Sequence, residues 1–387
     1  MSVALKRPGV GSWLKTNLFA NWLQTTLTVI SAVVLFFLAK GVLGWVLFTA
    51  KWDVIAANYR ILMIGQYPAE EQWRIWTLIA VFSLLLGLSW GIRKGIVRLI
   101  SVMFIGVFAV AGLMPFITVP SRLWLFGSIA LLLIGLAIGH KVPFAGKLNM
   151  IGWVLYVPLV ILFLNGFGVF PTVTSNLWGG FLLTVLLAVV TNVVSFPIGV
   201  LLTLGRRSKL PLIRWFSIAY IEIVRGVPMI TVLFMAQLLL PLFLGEGIEL
   251  SNVLRVMIGL TLFNAAYLAE TIRGGMQAVP RGQYEAAEAL GLNYAQKMTH
   301  IILPQALRNV IPALVNNVIG LFKDTSLVAI VALMDFMGIA KRIIANPAFV
   351  GRQMEVFLFV AVVFLIFCLL MSKVSKRLES FAFAGKR

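Results

Sequence analysis

The chain has 387 residues, of which 61% are hydrophobic and 12% are charged, and its mean hydropathy is +1.01. A soluble globular domain carries about twice that share of charged residues, so the composition excludes one and indicates an integral membrane protein. The net charge of +19 does not indicate a nucleic-acid-binding protein. Its basic residues form short clusters between apolar runs, where membrane orientation places them.

Apolar runs of about 20 residues, long enough to cross the hydrocarbon as helices, recur along the whole chain. Short alternating segments, as in a membrane β-barrel, do not occur. The first run follows Lys6, Arg7 and Lys15 without a small-residue cleavage pattern, which predicts an uncleaved span. We therefore predict an all-α fold of about ten spans, at 23–48, 75–91, 97–115, 122–139, 149–166, 176–205, 212–244, 252–272, 308–331 and 354–372.

An even number of spans places both termini on the same side of the membrane. Most basic residues then fall in segments on that side, although the stretch 332–353 on the other side is also basic. The positive-inside rule predicts that both termini are cytoplasmic.

The two halves of the chain differ in intramembrane charge, and we predict two domains, at 1–170 and 171–387. Spans of the first half hold almost no charge, which is typical of a structural role. Charged groups at membrane depth usually mark a transport pathway or a buried pair. In the second half these are Glu222, Arg225, Glu270, Lys323 and Asp324.

A polar, alanine-rich segment at 281–306 interrupts the apolar second half. Tyr284, Ala287 and Leu290 recur at helical spacing, with Glu285 and Glu288 on the neighbouring face. The pattern predicts a two-turn amphipathic helix, with Gly291 at its C-terminal cap. Asn293 and Gln296 then have capping-box spacing, so a second helix begins there and stops or kinks at Pro304.

This short helix is too polar to span the membrane and too short to be stable alone in water. It lies either on the lipid surface or in a groove of a soluble partner. The alanines at 286, 287 and 289 favour docking, because small side chains bind a bilayer poorly but let a helix lie deep in a groove.

The segment also resembles the EAA loop of ABC importer permeases, here at about 279–304. In that loop EAA is followed by three residues, a glycine, nine residues and I-x-L-P. The flanking strings "EIVRGVP", "AYLAETIRGG" and "LFKDTSLVAIV" are similar to the polar amino acid branch of the family. The whole chain resembles the long permease subunit of general L-amino acid ABC importers. The matching loop residues are Glu285, Ala286, Ala287, Gly291, Ile301, Leu303 and Pro304.

The resemblance implies a MetI-like permease core preceded by about five additional helices, in the bacterial inner membrane. It implies three partners: a second permease subunit in a heterodimer, a cytoplasmic ATPase dimer and a periplasmic amino acid-binding protein. ATP and Mg²⁺ are then expected on the ATPase, with no cofactor in this chain. The residues implied in ATPase coupling are Tyr284, Glu285, Ala286, Ala287, Glu288, Gly291, Leu303 and Pro304.

The sequence lacks the residues that an enzyme or a metal site would need. No GxxxxGK[ST] loop is present, and the nearest string, from Gly139 to Leu148, has the wrong spacing. His140 and His300 are far apart in the sequence, and Cys368 is the only cysteine. We therefore expect no catalytic constellation and no metal ligands.

The run 212–244 exceeds one crossing and contains "RGVP" near its middle. Gly226 and Pro228 predict a break, with a new half-helix that starts with proline at its first position. Its positive end beside Arg225 suits an amino acid carboxylate, while Glu222, Glu270 or Asp324 suits the ammonium group. Alternatively Glu222 and Arg225 neutralise each other, joined by Lys323 and Asp324.

Two other functions are compatible with the same features. One is an ion-coupled carrier that uses the intramembrane charges. The other is a membrane scaffold or sensor that recruits a soluble partner through the helix at 281–292.

Overall fold

The computed structural model describes residues 9–243 and 249–383, and the chain divides into two compact units at Asp53. The first unit contains α1 (Val10–Asn17) and α2 (Trp22–Gly44), which continues into a π-helical turn at Trp45–Thr49. Asn21 caps α2 by accepting a hydrogen bond from the Gln24 N–H at 2.8 Å. No residue of α2, all of which is described, is buried.

The second unit begins at Val54, the second residue of α3, and contains the remaining helices. Its first part consists of α3 (Asp53–Ile64), α4 (Gln72–Ile92), α5 (Ile96–Leu113), α6 (Val119–Lys141) and α7 (Ala145–Asn165). The next part consists of α8 (Gly180–Arg206), α9 (Pro211–Gly226), α10 (Met229–Phe234), a π-helical turn (Met235–Leu239), α11 (Leu240–Phe243) and α12 (Asn252–Gln277). The last part consists of α13 (Arg281–Ala289), α14 (Tyr294–Gln296), a π-helical segment (Lys297–Ile302), α15 (Leu303–Asp324), a 3₁₀ segment (Thr325–Val331), α16 (Phe336–Ile344) and α17 (Gln353–Phe383).

The predicted all-helical membrane fold is confirmed. Nine helices in the described parts of the chain are long and apolar enough to cross a membrane, and a bent pair makes a tenth. That pair, Pro211–Gly226 with Met229–Phe243, turns by 109° at the predicted break. The two-domain division at residue 170 stays a prediction.

Glycines bring α4 and α6 into backbone contact in the charge-poor first half. A Cβ atom on Gly87 would lie 2.0 Å from the Leu132 carbonyl oxygen, and one on Gly135 would lie 2.4 Å from the Leu84 oxygen. One turn further on, a Cβ atom on Gly91 would lie 2.7 Å from the Gly139 Cα atom. Small residues at this spacing allow membrane helices to pack closely without a hydrophobic driving force.

The second half has its core between α8 and α12. Leu183 and Leu187 of α8 pack with Leu260 of α12 and Val328 of the 3₁₀ segment, and all four are fully buried. The Thr203 hydroxyl of α8 also donates to the Ala269 carbonyl of α12 at 2.8 Å. The two spans that flank the bent pair are therefore fixed to each other.

Asp335 caps α16 from a fully buried position between two spans. Its carboxylate accepts hydrogen bonds from the backbone N–H groups of Met337 at 3.2 Å and Gly338 at 2.9 Å. Burial raises the pKa of Asp335 from its ordinary value of 3.8 to about 7, against the opposing effect of those N–H groups and Lys341. The charged form of this cap is therefore costly in the folded protein.

We expect a pH-dependent stability from Asp335. Between about pH 4 and pH 7 the folded chain holds a proton that the unfolded chain has lost, so stability falls as pH rises. The unfolding temperature in detergent should decrease across this window and then level off. Asp335→Asn should flatten the curve, whereas Glu285→Gln, an exposed carboxylate change, should leave it unchanged. An equally steep curve in Asp335→Asn would contradict the assignment.

Candidate functional site

The predicted amphipathic helix is α13, and its C-terminus ends as the sequence indicates. Gly291 has a left-handed backbone with φ of 73°. Its N–H donates to Glu288 O at 2.9 Å, and the Leu292 N–H donates to Ala287 O at 3.2 Å. These two bonds form a Schellman motif, which satisfies the last carbonyls of the helix.

One face of α13 is fixed to the membrane spans of the same chain. Ala287 is 2% exposed, and the half-buried Tyr284 packs on the apolar cluster of Met276, Met298 and Ile302. The Tyr284 hydroxyl donates to the Met276 carbonyl at 3.1 Å. This face of α13 is therefore already covered.

Arg207, just after the last residue of α8, holds Tyr284 from the other side. Its Nη1 donates to the Tyr284 hydroxyl at 3.0 Å, and its guanidinium carbon lies 5.4 Å from the ring centroid. A hydrogen bond and a cation–π contact thus join α13 to the end of α8.

The opposite face of α13 is not covered by any described residue of this chain. Glu285, Ala286 and Ala289 are exposed, and Leu290 is 77% exposed. The sequence placed Tyr284, Ala287 and Leu290 on one apolar stripe, but only the first two face the spans. Leu290 is the C-cap residue of α13, and its side chain faces away from the spans.

Glu288 lies at the edge of the exposed face and forms an ion pair with Lys297. The hydrogen bond and charge of Lys297 hold the pKa of Glu288 below its ordinary value. Gln305 also donates to the Gln283 side-chain oxygen at 3.0 Å. These contacts orient α13 against the helix that follows it.

That following helix begins at the predicted capping box. The Asn293 side chain accepts from the Gln296 N–H at 2.9 Å, and the Gln296 side chain accepts from the Asn293 N–H at 3.0 Å. The helix does not stop at Pro304. Its hydrogen-bond pattern becomes π-helical at Lys297–Ile302, and Pro304 then occupies the first turn of α15, where it interrupts no hydrogen bond. Leu303 packs on the same apolar cluster as Tyr284.

The predicted break in the run 212–244 lies between α9 and α10, at Gly226 and Pro228, as expected. Pro228 is the N-cap of α10 and not its first residue, so Met229 begins the new helix. Arg225 is in the last turn of α9, at the corner of the 109° bend. Its guanidinium carbon lies 5.8 Å from the ring centroid of Tyr267 in α12.

Glu270 of α12 is the centre of an ion-pair network. It pairs closely with Arg273, and its Oε2 lies 3.6 Å from Arg206 Nη1 and 3.7 Å from Arg225 Nη1. Glu222 pairs with Arg206 at 2.8 Å and not with Arg225, the partner that its position in α9 suggested. Three arginines share two carboxylates, which leaves one positive charge.

Lys323 and Asp324 lie outside this network. Both are exposed, and Lys323 lines a cavity of about 400 Å³ with Phe357 and Phe364 of α17. Neither forms an ion pair with Glu222, Arg225 or Glu270, all of which the structure describes. The structure thus separates the five predicted pathway charges into two groups.

A polar cluster that the sequence analysis did not identify links three spans. The Asn264 side-chain amide donates to Ser195 Oγ at 2.6 Å, and the Asn317 amide donates to the Asn264 oxygen at 3.0 Å. Interhelical hydrogen bonds of this kind stabilise membrane bundles. The sequence feature that could have indicated this cluster is the presence of uncharged polar residues within otherwise apolar spans. No cluster of three or more potential metal ligands occurs in the parts of the chain that the structure covers.

Ten candidate spans, one of them a bent pair beside clustered charges, and a short polar helix outside the spans are typical of a multi-pass transport protein. Residues 195–381 match the family described as "Binding-protein-dependent transport system inner membrane component". The chain is 35% identical to the inner membrane amino-acid ABC transporter permease protein YhdY of Escherichia coli K12, covering 95% of this chain and 91% of the relative.

A second relative is the glutamate/glutamine/aspartate/asparagine transport system permease protein BztC of Rhodobacter capsulatus. It is 37% identical, and the match covers 96% of this chain and 93% of the relative. A solved structure, of an amino acid ABC transporter with histidines, is 28% identical with a TM-score of 0.47, covering 59% of this chain and 96% of that chain. This chain belongs to the amino-acid ABC transporter permeases, with a MetI-like fold, and is a multi-pass inner-membrane protein.

Proposed function

We propose that this chain carries polar L-amino acids into the cell as one permease subunit of a heterodimer, with α13 as the docking helix for a cytoplasmic ATPase dimer. One observation carries the proposal. α13 is fixed to its own chain on the face of Tyr284 and Ala287, while Ala286, Ala289 and Leu290 remain exposed. These small and apolar residues, beside the exposed Glu285 carboxylate, fit a groove in a protein partner.

The remaining partners and cofactors follow from this assignment. A periplasmic binding protein delivers the amino acid, and ATP and Mg²⁺ bind to the ATPase. Docking at α13 requires that this helix is cytoplasmic, which agrees with the basic residues on the side of both termini. Residues 1–170 then form an extension of the permease domain at 171–387.

Movement of α13 reaches the membrane charges through the last residue of α8 and the residue that follows it. Arg207 holds Tyr284 of α13, and Arg206 pairs with Glu222 of α9 and Glu270 of α12. Closure of the ATPase dimer on α13 would therefore change the network beside the 109° bend. Alternating access needs such a two-state element, which opens the pathway to one side at a time.

The network also suits the substrate. Its excess positive charge at Arg225 attracts the carboxylate of an amino acid, and the bend gives the site exposed backbone groups. The relative BztC is named for glutamate, glutamine, aspartate and asparagine, which supports polar substrates here. Glu222, Arg225, Gly226, Pro228 and Glu270 are accordingly assigned to the pathway, and Lys323 and Asp324 are assigned to it as a separate group outside the network.

The test is purification of the tagged chain from its host, followed by mass spectrometry and reconstitution into vesicles. We expect a second permease and an ATPase to copurify, and amino acid uptake to require ATP and an added binding protein. Uptake that follows an ion gradient without ATP would indicate a carrier. A bound soluble protein without any uptake would indicate a scaffold.

A further inference from the structure

A cavity of about 220 Å³ opens where one end of α4, the start of α5 and the end of α6 meet. It is far larger than the volume of about 30 Å³ that one water molecule occupies in the liquid. The proposed transport function uses none of its residues. The cavity is lined by Trp90, Gly91, Lys94, Arg98, Leu136 and His140.

The cavity lies beside a close contact between α4 and α6. A Cβ atom on Gly91 would lie 2.6 Å from the Leu136 carbonyl oxygen, so α4 and α6 touch through their backbones up to this point. Beyond it, the chain turns through Gly95, whose φ is 101°, and α5 begins at Ile96. Gly91 lines the cavity at the point where this backbone contact ends.

The charge around the cavity is uncompensated. The sequence contains no aspartate or glutamate from residue 72 to residue 221. Lys94 and Arg98 are exposed, and neither pairs with a carboxylate anywhere in the described part of the chain. The N-terminus of α5, an 18-residue helix, adds backbone N–H groups that favour an anion.

We propose that this cavity binds the phosphodiester headgroup of an anionic membrane phospholipid. Lys94 and Arg98 neutralise the phosphate, and His140 lines the same space. Basic pockets between spans on the cytoplasmic side suit such headgroups, and Trp90 fits the membrane interface.

Apolar surface below the cavity distinguishes a lipid from free phosphate. Leu133 precedes the lining residue Leu136 by one turn of α6 and is 48% exposed. Val102 follows the lining residue Arg98 by one turn of α5 and is 50% exposed. These side chains form an apolar surface on which acyl chains can lie. Inorganic phosphate would gain nothing from that surface.

The experiment compares two variants that each lose two positive charges. Lys94→Gln/Arg98→Gln changes the lining, while Arg93→Gln/Lys147→Gln changes exposed neighbours that do not line the cavity. The full chain, purified with its bound partners, is titrated with phosphatidylglycerol and with phosphatidylcholine, and bound lipid is counted by native mass spectrometry. Inorganic phosphate is added as a competitor in a separate series.

We expect phosphatidylglycerol to bind the parent chain in preference to phosphatidylcholine. Binding should weaken by about 25-fold in the lining variant, because each basic residue near an anionic surface contributes about fivefold. The neighbour variant should bind as the parent does. Equal losses in both variants would overturn the proposal, because they would show that the lipid is attracted by the net positive charge and not by this cavity. Full displacement of the lipid by inorganic phosphate would show that the cavity binds phosphate and not a phospholipid.

The parent chain alone also tests the proposal if the lining variant does not fold. Phosphatidylglycerol should raise the unfolding temperature of the parent, and neither phosphatidylcholine nor phosphate should do so. Equal effects of the two lipids would overturn the proposal.

Discussion

Glu270→Gln is expected to abolish amino acid uptake and to lower the stability of the chain by about 2 kcal/mol. Breaking a fully buried ion pair costs about 3–5 kcal/mol, and the partial exposure of this network reduces that figure. The loss arises because Arg225 and Arg273 would face each other without a carboxylate between them. Uptake in reconstituted vesicles and the unfolding temperature in detergent measure the two effects.

Asp324→Asn is the matched control, because it removes another acid from the same bundle without touching the network. We expect it to retain the stability of the parent. The double variant Arg225→Gln/Glu270→Gln removes one charge of each sign and should recover part of the lost stability. If it also recovers uptake, the network is structural, and Arg225 does not contact substrate. A Glu270→Gln chain with normal stability and uptake would refute the network.

Leu290→Glu is expected to separate ATP hydrolysis from transport. It introduces a carboxylate into the exposed face of α13, at a side chain that is 77% exposed. Burial of an unpaired polar group in an apolar groove costs about 3 kcal/mol, or about 100-fold in docking affinity. Uptake should fall accordingly, and substrate should no longer stimulate ATP hydrolysis in vesicles that contain the whole complex.

Val350→Glu places the same charge at a side chain that is 76% exposed but lies between α16 and α17. It should leave uptake and hydrolysis unchanged. Gly291→Leu is a second test of docking, because it strains the C-terminal end of α13. A leucine in this left-handed conformation costs about 1–2 kcal/mol, although its Cβ atom would meet open space. Normal coupling in both Leu290→Glu and Gly291→Leu would contradict docking at α13.

Local rules made much of this structure predictable. Length and hydropathy were enough to identify ten spans, since a helix must satisfy its own backbone groups in lipid. Gly291 and the Asn293–Gln296 pair were readable as helix ends, because their hydrogen bonds join residues at most five apart. The break at Gly226 and Pro228 was predictable for the same reason, although its angle was not.

The sequence by itself therefore determined the class of fold, the number of spans, the C-terminal end of α13 and the start of the helix that follows it. Only the tertiary structure decided the ion pairs, because the partners of Arg206 at Glu222 and Glu270 lie on other helices. It also decided which face of α13 is exposed and where the cationic cavity beside the α4–α6 contact lies. Such features depend on how helices pack, and hydropathy does not encode the rotation of one span against another.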